Sequence, residues 1–132
     1  MKITVDTNIL VRAMLVDDKK QAKAAIKLLK DATLIAVPLA CLCELVWVLK
    51  RGAGLTPKDI VRAIEALSDA QNVVMNRPAV DAGLSIFAAG GDFADGVIAH
   101  EGQWLGGETF VSFDKAAVKM LKEQGQDTKL LG

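Results

Sequence analysis

The sequence predicts an α/β fold in which a mostly parallel sheet is packed against helices on both of its faces. Short apolar runs alternate along the chain with longer segments that carry apolar residues at helical spacing. Hydrophobic residues make up 52% of the chain, only 5% are aromatic, and the mean hydropathy is +0.30. Such an aliphatic composition suits strands that are buried on both faces. A length of 132 residues suits one domain, which we expect to span residues 1–132.

Five short apolar segments predict strands. The first, KITV at residues 2–5, ends abruptly at the polar triplet Asp6-Thr7-Asn8. The second, LIAV at residues 34–37, stops at Pro38, which we expect to begin a helix. The remaining strands are predicted at residues 72–76 (NVVMN), 109–113 (TFVSF) and 127–131 (DTKLL).

Seven segments between these strands predict helices. In residues 17–31, alanine, isoleucine and leucine form an apolar stripe opposite a row of lysines. Thr56 and Pro57 are typical of an N-cap and of a first helical position. The predicted helices cover residues 8–15, 17–31, 39–52, 56–70, 77–91, 92–107 and 114–125.

Charge and cysteine usage narrow the class of protein. The formal net charge is zero, with 16 basic and 16 acidic residues, so no global positive field attracts nucleic acid. Cys41 and Cys43 have neither disulfide nor metal-site spacing, and no signal peptide is evident, which together predict a cytoplasmic protein in a reducing compartment. Pro38 and Glu44 interrupt the apolar residues 32–49, which favours a buried strand and helix over a membrane span.

Four carboxylates occupy positions of interest. Asp6 follows the first predicted strand and Asp114 follows the fourth. Glu44 lies inside an apolar helix, and Asp95 lies in the first turn of the helix that begins DFADGVIA. Ligand sites of open α/β sheets lie beyond the carboxyl ends of the strands, so these acids are candidates for a common site.

Each acid also has a purely structural interpretation. Asp6 and Asp114 are suited to cap the helices that follow them, and Asp92 with Asp95 has the spacing of a capping box. Glu44 is flanked by apolar residues and is costly to bury unpaired, so the alternative for this residue is an ion pair with Arg12 or Lys50.

Taken together, the acids favour a metal site. Four converging carboxylates repel one another and raise their own pKa values unless a cation neutralises them. All-oxygen ligands select Mg²⁺ or Mn²⁺, and the single histidine, His100, offers no softer set; we expect it to be structural or half-exposed. Such a cluster without a covalent nucleophile is typical of phosphodiester hydrolysis by metal-activated water.

Four motifs carry a resemblance to a known family. VDTNIL, LCELVWVL, DFADGVIAH and FVSFDKAA stand in the order and at the intervals of PIN-domain ribonucleases. The chain resembles in particular the VapC-type toxins of bacterial and archaeal toxin–antitoxin pairs, over roughly residues 3 to 121. The resemblance implies a PIN-like three-layer fold whose central parallel sheet has about five strands in the order 3-2-1-4-5.

The resemblance also implies which residues form the site. Catalysis and metal binding fall to the acid quartet of the family, with Mg²⁺ or Mn²⁺ as cofactor and with three auxiliary residues. Asn8 is expected to hold Asp6 by a hydrogen bond, Ser112 keeps the hydroxyl that precedes the last acid, and Gly96 is expected to loosen the first turn of its helix. The quartet is Asp6, Glu44, Asp95 and Asp114, and the auxiliary residues are Asn8, Asp92 and Ser112.

Partners follow from the same resemblance. VapC-type toxins act on RNA, form homodimers and are inhibited by a cognate antitoxin that binds a hydrophobic groove, and the apolar surplus of this chain is consistent with such interfaces. Trp47, Trp104 and Phe87 are candidate contacts, with burial in the core as the alternative. For RNA, Arg12 and the pair Lys50-Arg51 are better candidates than the lysine row of residues 17–31, which suits a solvated helix face.

Alternatives remain at this point. The same fold could serve RNA processing or quality control, although the small chain carries no appended RNA-binding module. It could also be a catalytically silent binding module, but all four acid positions are filled. An aspartyl-phosphate enzyme or receiver domain is disfavoured because Asn8 stands where a second acid is needed and the third strand offers no phospho-acceptor.

Overall fold

The computed structural model describes all 132 residues. Contacts between residues divide the chain into two compact units, residues 1–76 and residues 77–132. Each unit combines helices with a small parallel sheet.

The first unit contains a three-stranded sheet and four helices. The strands pair in the order β1-β2-β3, all parallel, with Ile3 opposite Ile35 and Ile35 opposite Val73. Its elements are β1 (Lys2–Thr4), α1 (Thr7–Met14), α2 (Lys19–Asp31), β2 (Leu34–Ala36), α3 (Leu39–Trp47), α4 (Pro57–Asp69) and β3 (Val73–Val74).

Local signals in the sequence explain where these helices begin and end. The hydroxyl of Thr56 accepts a hydrogen bond from the backbone N–H of Asp59, and Pro57 takes the first position of α4, as predicted. Helix α3 widens into a π-helical turn, Val48–Gly52, before the chain leaves the helix. The core of the unit consists of aliphatic side chains that are almost fully buried, among them Leu10, Leu42, Leu45, Ile60 and Ile64.

The second unit contains a two-stranded sheet and three helices. Strands β4 and β5 are parallel, with Ser112 opposite Leu130. Ile86, Ala99 and Leu121 form a buried cluster against which Phe110 and Met120 pack. The elements are α5 (Arg77–Ala88), α6 (Phe93–Trp104), β4 (Phe110–Ser112), α7 (Lys115–Glu123) and β5 (Thr128–Leu130).

Helices α5 and α6 pack closely because glycines face each other. A Cβ atom added to Gly96 would lie 2.6 Å from the carbonyl oxygen of Ala82 and 2.8 Å from Cα of Gly83. A Cβ atom on Gly83 would lie 2.8 Å from the ring of Phe93. The absence of side chains at these two positions therefore sets the distance between the helices.

The α/β class, the parallel strand pairing and all five predicted strands are confirmed. The single five-stranded sheet with the order 3-2-1-4-5 is not confirmed, because the strands form one sheet of three and one of two. Phe87 is a core residue, whereas the core interpretation of the tryptophans is wrong: Trp47 is 64% exposed and Trp104 is 78% exposed. None of the helices has the length and apolar character needed to cross a membrane.

Candidate functional site

Asp6 lies where β1 ends and α1 begins. Its Oδ1 accepts a hydrogen bond from the backbone N–H of Ile9 at 3.1 Å, so the predicted capping role is confirmed. The residue is exposed, and the cap uses only one of its two carboxylate oxygens. Capping therefore holds the carboxylate at the carboxyl end of β1 and leaves Oδ2 available to a ligand.

Glu44 lies on the exposed face of α3. Leu42, Leu45 and Val46 face the core, and the helical period places Glu44 on the opposite side. The concern about burying this acid unpaired is therefore removed, because the side chain is exposed. The alternative ion pair with Arg12 is wrong, since Arg12 instead contacts Asp17 at 3.2 Å.

Thr7 follows Asp6 in the sequence and contacts Glu44, the other candidate acid of the first unit. Its hydroxyl donates a hydrogen bond to Oε2 of Glu44 at 3.1 Å, across 37 positions of sequence. Burial raises the pKa of the Cys41 thiol, and the charges of Glu44 and Asp6 raise it further. The hydroxyl of Thr7 lowers this pKa but does not cancel the increase. Thr7, Cys41, Glu44 and Asp6 thus form one electrostatic neighbourhood. Sequence reasoning missed Thr7 because its hydroxyl points to a distant helix.

Asn8 does not have the expected role. Its side chain makes no hydrogen bond with Asp6; the amide of Ile9 takes that place. Asn8 is exposed and lies at a cleft between α1 and α2. The capping geometry explains the difference, because the first turn of α1 supplies a backbone donor to Asp6 directly.

Two acids of the second unit are also helix caps. Oδ1 of Asp114 accepts hydrogen bonds from the backbone N–H groups of Ala116 at 2.9 Å and Ala117 at 3.2 Å, at the start of α7. Oδ1 of Asp92 accepts from Ala94 at the start of α6. Ser112 supports Asp114, because its Oγ accepts a hydrogen bond from the Asp114 backbone N–H at 3.0 Å.

Asp95 differs from the other candidate acids in its burial. It lies in the first turn of α6 and is half-buried. Burial raises the pKa of its carboxyl above the ordinary value, and the charges of Asp92 and Asp114 raise it further. Raised carboxyl pKa values of this kind are common at functional sites.

Gly96 has a role opposite to the expected one. Instead of loosening the first turn of α6, it allows that turn to lie against Ala82 and Gly83 of α5. Any side chain at this position would push the helices apart. Gly96 therefore fixes the position of its neighbour Asp95 relative to α5.

Each unit carries its own candidate acids, Asp6 and Glu44 in the first and Asp92, Asp95 and Asp114 in the second. All of them offer carboxylate oxygens, the donor type that hard divalent cations prefer. Burial is the main cause of the raised pKa of Asp95, and the smaller contribution from the charges of Asp92 and Asp114 is of the kind that a bound cation offsets. Within neither unit do three or more His, Cys, Asp or Glu side chains gather into a metal-binding group.

His100 is half-buried on α6, as expected for a structural residue. Its Nε2 is buried and has no hydrogen-bond partner. Neither Cys41, which is buried, nor Cys43, which is half-buried, forms a disulfide bond.

The chain is an α/β protein whose candidate acids lie at the ends of parallel strands and at helix starts, where the ligand sites of open α/β sheets are found. The chain matches the PIN domain family over residues 3–122, and it belongs to that family. PIN domains are generally metal-dependent nucleases. No curated protein matches the chain.

Proposed function

We propose that this protein is a metal-dependent endoribonuclease that acts as the toxin of a toxin–antitoxin pair. The proposed site comprises Asp6, Glu44, Asp95 and Asp114, with Mg²⁺ or Mn²⁺ as cofactor. The observation that carries the proposal is Asp95, a half-buried acid whose pKa is raised by burial and by two neighbouring carboxylates, in a chain of the PIN domain family.

Hydrogen bonds within each unit orient the proposed catalytic acids. Helix caps hold Asp6 and Asp114, so that both carboxylates are oriented before a ligand arrives. Thr7 orients Glu44, and Ser112 supports Asp114. A divalent cation, when bound, acts as a Lewis acid toward the phosphate and lowers the pKa of a coordinated water. Burial and, less strongly, the charges of Asp92 and Asp114 raise the pKa of Asp95, and a cation held nearby would favour its ionised form.

The antitoxin partner belongs to the proposal as well. The first unit contains an apolar groove of about 440 Å³ between α1, α2 and α4. The apolar side chains of Leu10, Met14 and Leu67 line this groove. The small side chains of Ala63 and Ala66 leave space in it for a side chain of the partner. Such a groove suits the apolar face of an amphipathic antitoxin helix.

The exposed tryptophans support a further contact. Trp47, Trp104 and Leu105 are large apolar side chains that are each more than 60% exposed. Exposed apolar residues of this size are typical of protein interfaces. We assign them to the proposed homodimer, whose formation is measured by light scattering on the purified toxin.

The decisive experiment is RNA cleavage by the wild-type protein and by Asp6→Asn and Asp95→Asn, with Mn²⁺ and with EDTA. Asparagine still accepts a capping bond, so Asp6→Asn keeps α1 and removes one charge. We expect both variants to lose cleavage by a factor of about a hundred or more. Asp81→Asn, an exposed acid on α5, is the matched control and should retain activity. Equal cleavage by all variants, or full activity in EDTA, contradicts the proposal.

A further inference from the structure

A cleft of about 460 Å³ opens between α1 and α2 in the first unit. It begins at Asp6 and continues along Asn8 and Arg12 on α1 and Gln21 on α2, over an apolar floor that includes Ile9 and Leu28. Pockets that bind small ligands have volumes of roughly 300–1,000 Å³ and combine apolar walls with a few polar groups. This cleft has both features, and it adjoins a proposed catalytic acid.

The polar groups of the cleft are available to a ligand. The side-chain amides of Asn8 and Gln21 are exposed, and neither makes a hydrogen bond within the protein. Each amide presents a donor and an acceptor in one plane. That pattern matches the edge of a nucleobase, where donors and acceptors also lie side by side.

Arg12 supplies the positive charge of the cleft. Its side chain is 36% exposed, and one nitrogen, Nη1, contacts Asp17 at 3.2 Å. Asp17 is 68% exposed, so this is a surface ion pair of small stabilising effect. The remaining N–H groups of the guanidinium can therefore bind a phosphate.

We propose that this cleft binds one nucleotide of the RNA substrate, next to the scissile phosphate. The base lies on Ile9 and Leu28, the amides of Asn8 and Gln21 read its edge, and Arg12 contacts the adjoining phosphate. The inference rests on the proposed nuclease function, and it adds that Gln21 and Asn8 determine base preference at one position of the cleavage site.

The position and chemistry of the cleft favour RNA over a protein ligand. Asp6 lies at its end, so a nucleotide bound there is adjacent to one of the proposed catalytic acids. Its rim has two amides and a guanidinium, which suit a base and a phosphate. The groove between α1, α2 and α4 is lined mainly by apolar side chains instead, which suits a helix of a partner protein.

The first test measures binding without cleavage. Amide resonances of the protein in EDTA are followed by NMR while each of the four ribonucleosides is added. Nucleosides carry no phosphate, so the charge of Asp6 does not repel them. We expect one nucleoside to shift the side-chain NH₂ signals of Asn8 and Gln21, and Gln21→Ala to weaken that binding. If none of the four shifts these signals at millimolar concentration, the inference is overturned, whatever the nuclease activity.

The second test measures base preference by sequencing the products that the Mn²⁺-loaded enzyme makes from a randomised RNA pool. We expect Gln21→Ala to raise KM about tenfold for the preferred base with little change in kcat, and to relax the preference at that position alone. Gln71→Ala, which removes an exposed amide outside the cleft, is the control and should keep the wild-type profile.

Outcomes separate the two proposals. Absence of cleavage by the wild-type protein contradicts the nuclease function, and the nucleoside titration then decides on the cleft by itself. If the wild-type protein cleaves RNA and Gln21→Ala shows the same base preference, the inference is overturned. A protein ligand would then be the better candidate for the cleft. Thermal unfolding of each variant shows that the substitutions, all at exposed side chains, leave the fold intact.

Discussion

The hydroxyl of Thr7 donates a hydrogen bond to Oε2 of Glu44 at 3.1 Å and joins the first turn of α1 to the exposed face of α3. Glu44 has no ion-pair partner, and this is its one side-chain hydrogen bond within the chain. The orientation of an exposed carboxylate thus depends on a single neighbouring hydroxyl. Thr7 is a positioning residue for the proposed site.

Thr7→Val tests this dependence, because valine keeps the shape of threonine and removes the hydroxyl. We expect RNA cleavage to fall about tenfold, as is typical when a group that orients a metal ligand is lost. The free energy of unfolding should change by no more than about 1 kcal/mol, since the bond is exposed. Thr7→Ser keeps the hydroxyl and should retain most activity. An unchanged Mn²⁺ affinity and cleavage rate in Thr7→Val would contradict the assignment.

Gly96→Ala tests the contact between α5 and α6. The added Cβ atom would meet the carbonyl oxygen of Ala82 at 2.6 Å, which the backbone must relieve by moving. Overpacking of this kind costs roughly 1–3 kcal/mol and outweighs the gain in helix propensity of about 1 kcal/mol. We expect a lower midpoint of thermal unfolding and reduced cleavage, because Asp95 moves with its helix turn.

Gly102→Ala is the matched control for that variant. Gly102 lies in the same helix, α6, and an added Cβ atom would meet no atom within 4 Å. Alanine there should stabilise the helix by up to about 1 kcal/mol. Comparison of the two melting temperatures isolates the contact with α5. A Gly96→Ala protein as stable as Gly102→Ala would show that the helices separate without a penalty.

The sequence predicts best what local hydrogen bonds determine. The caps at Asp6, Asp92, Asp114 and Thr56 all form, because an N-cap depends only on the side chain and the next three residues. The helices likewise follow the periodicity of their own residues. The sequence also predicts membership of the PIN domain family, because four motifs occur in the order typical of that family, and the family match confirms it.

Features that depend on distant segments were not predictable. The partner of the Thr7 hydroxyl is fixed by the packing of α3, 37 residues away, and the role of Gly96 depends on α5. The apolar sequence neighbours of Glu44 predict a buried acid, whereas the helix turns those neighbours to the core and leaves Glu44 exposed. The strands have two or three residues each, and so short a pattern does not specify which strands pair.

Asp95→Asn should stabilise the metal-free protein at neutral pH. The pKa of Asp95 is raised in the folded state, so its ionisation destabilises the fold at any pH above that raised value. As the pH falls through the raised pKa toward the ordinary aspartate range, the carboxyl becomes protonated in both states and the penalty disappears. We therefore expect a melting temperature above that of the wild type at neutral pH in EDTA, and no difference at acid pH. Asp81→Asn should show no gain at either pH.

Addition of Mn²⁺ should reverse that ranking. A ligand that binds only the folded state stabilises it by about 2.7 kcal/mol at a concentration one hundred times its Kd. Wild-type protein has the full set of proposed carboxylate ligands and should gain most of this, whereas Asp95→Asn lacks the charge that a cation neutralises. The order of the two melting temperatures should therefore reverse. Asp95→Asn is expected to be the more stable protein in EDTA, and the wild type is expected to be the more stable with Mn²⁺. If Mn²⁺ raises the melting temperature of both proteins equally, Asp95 is not a metal ligand. That conclusion would hold even if the wild-type protein cleaved RNA.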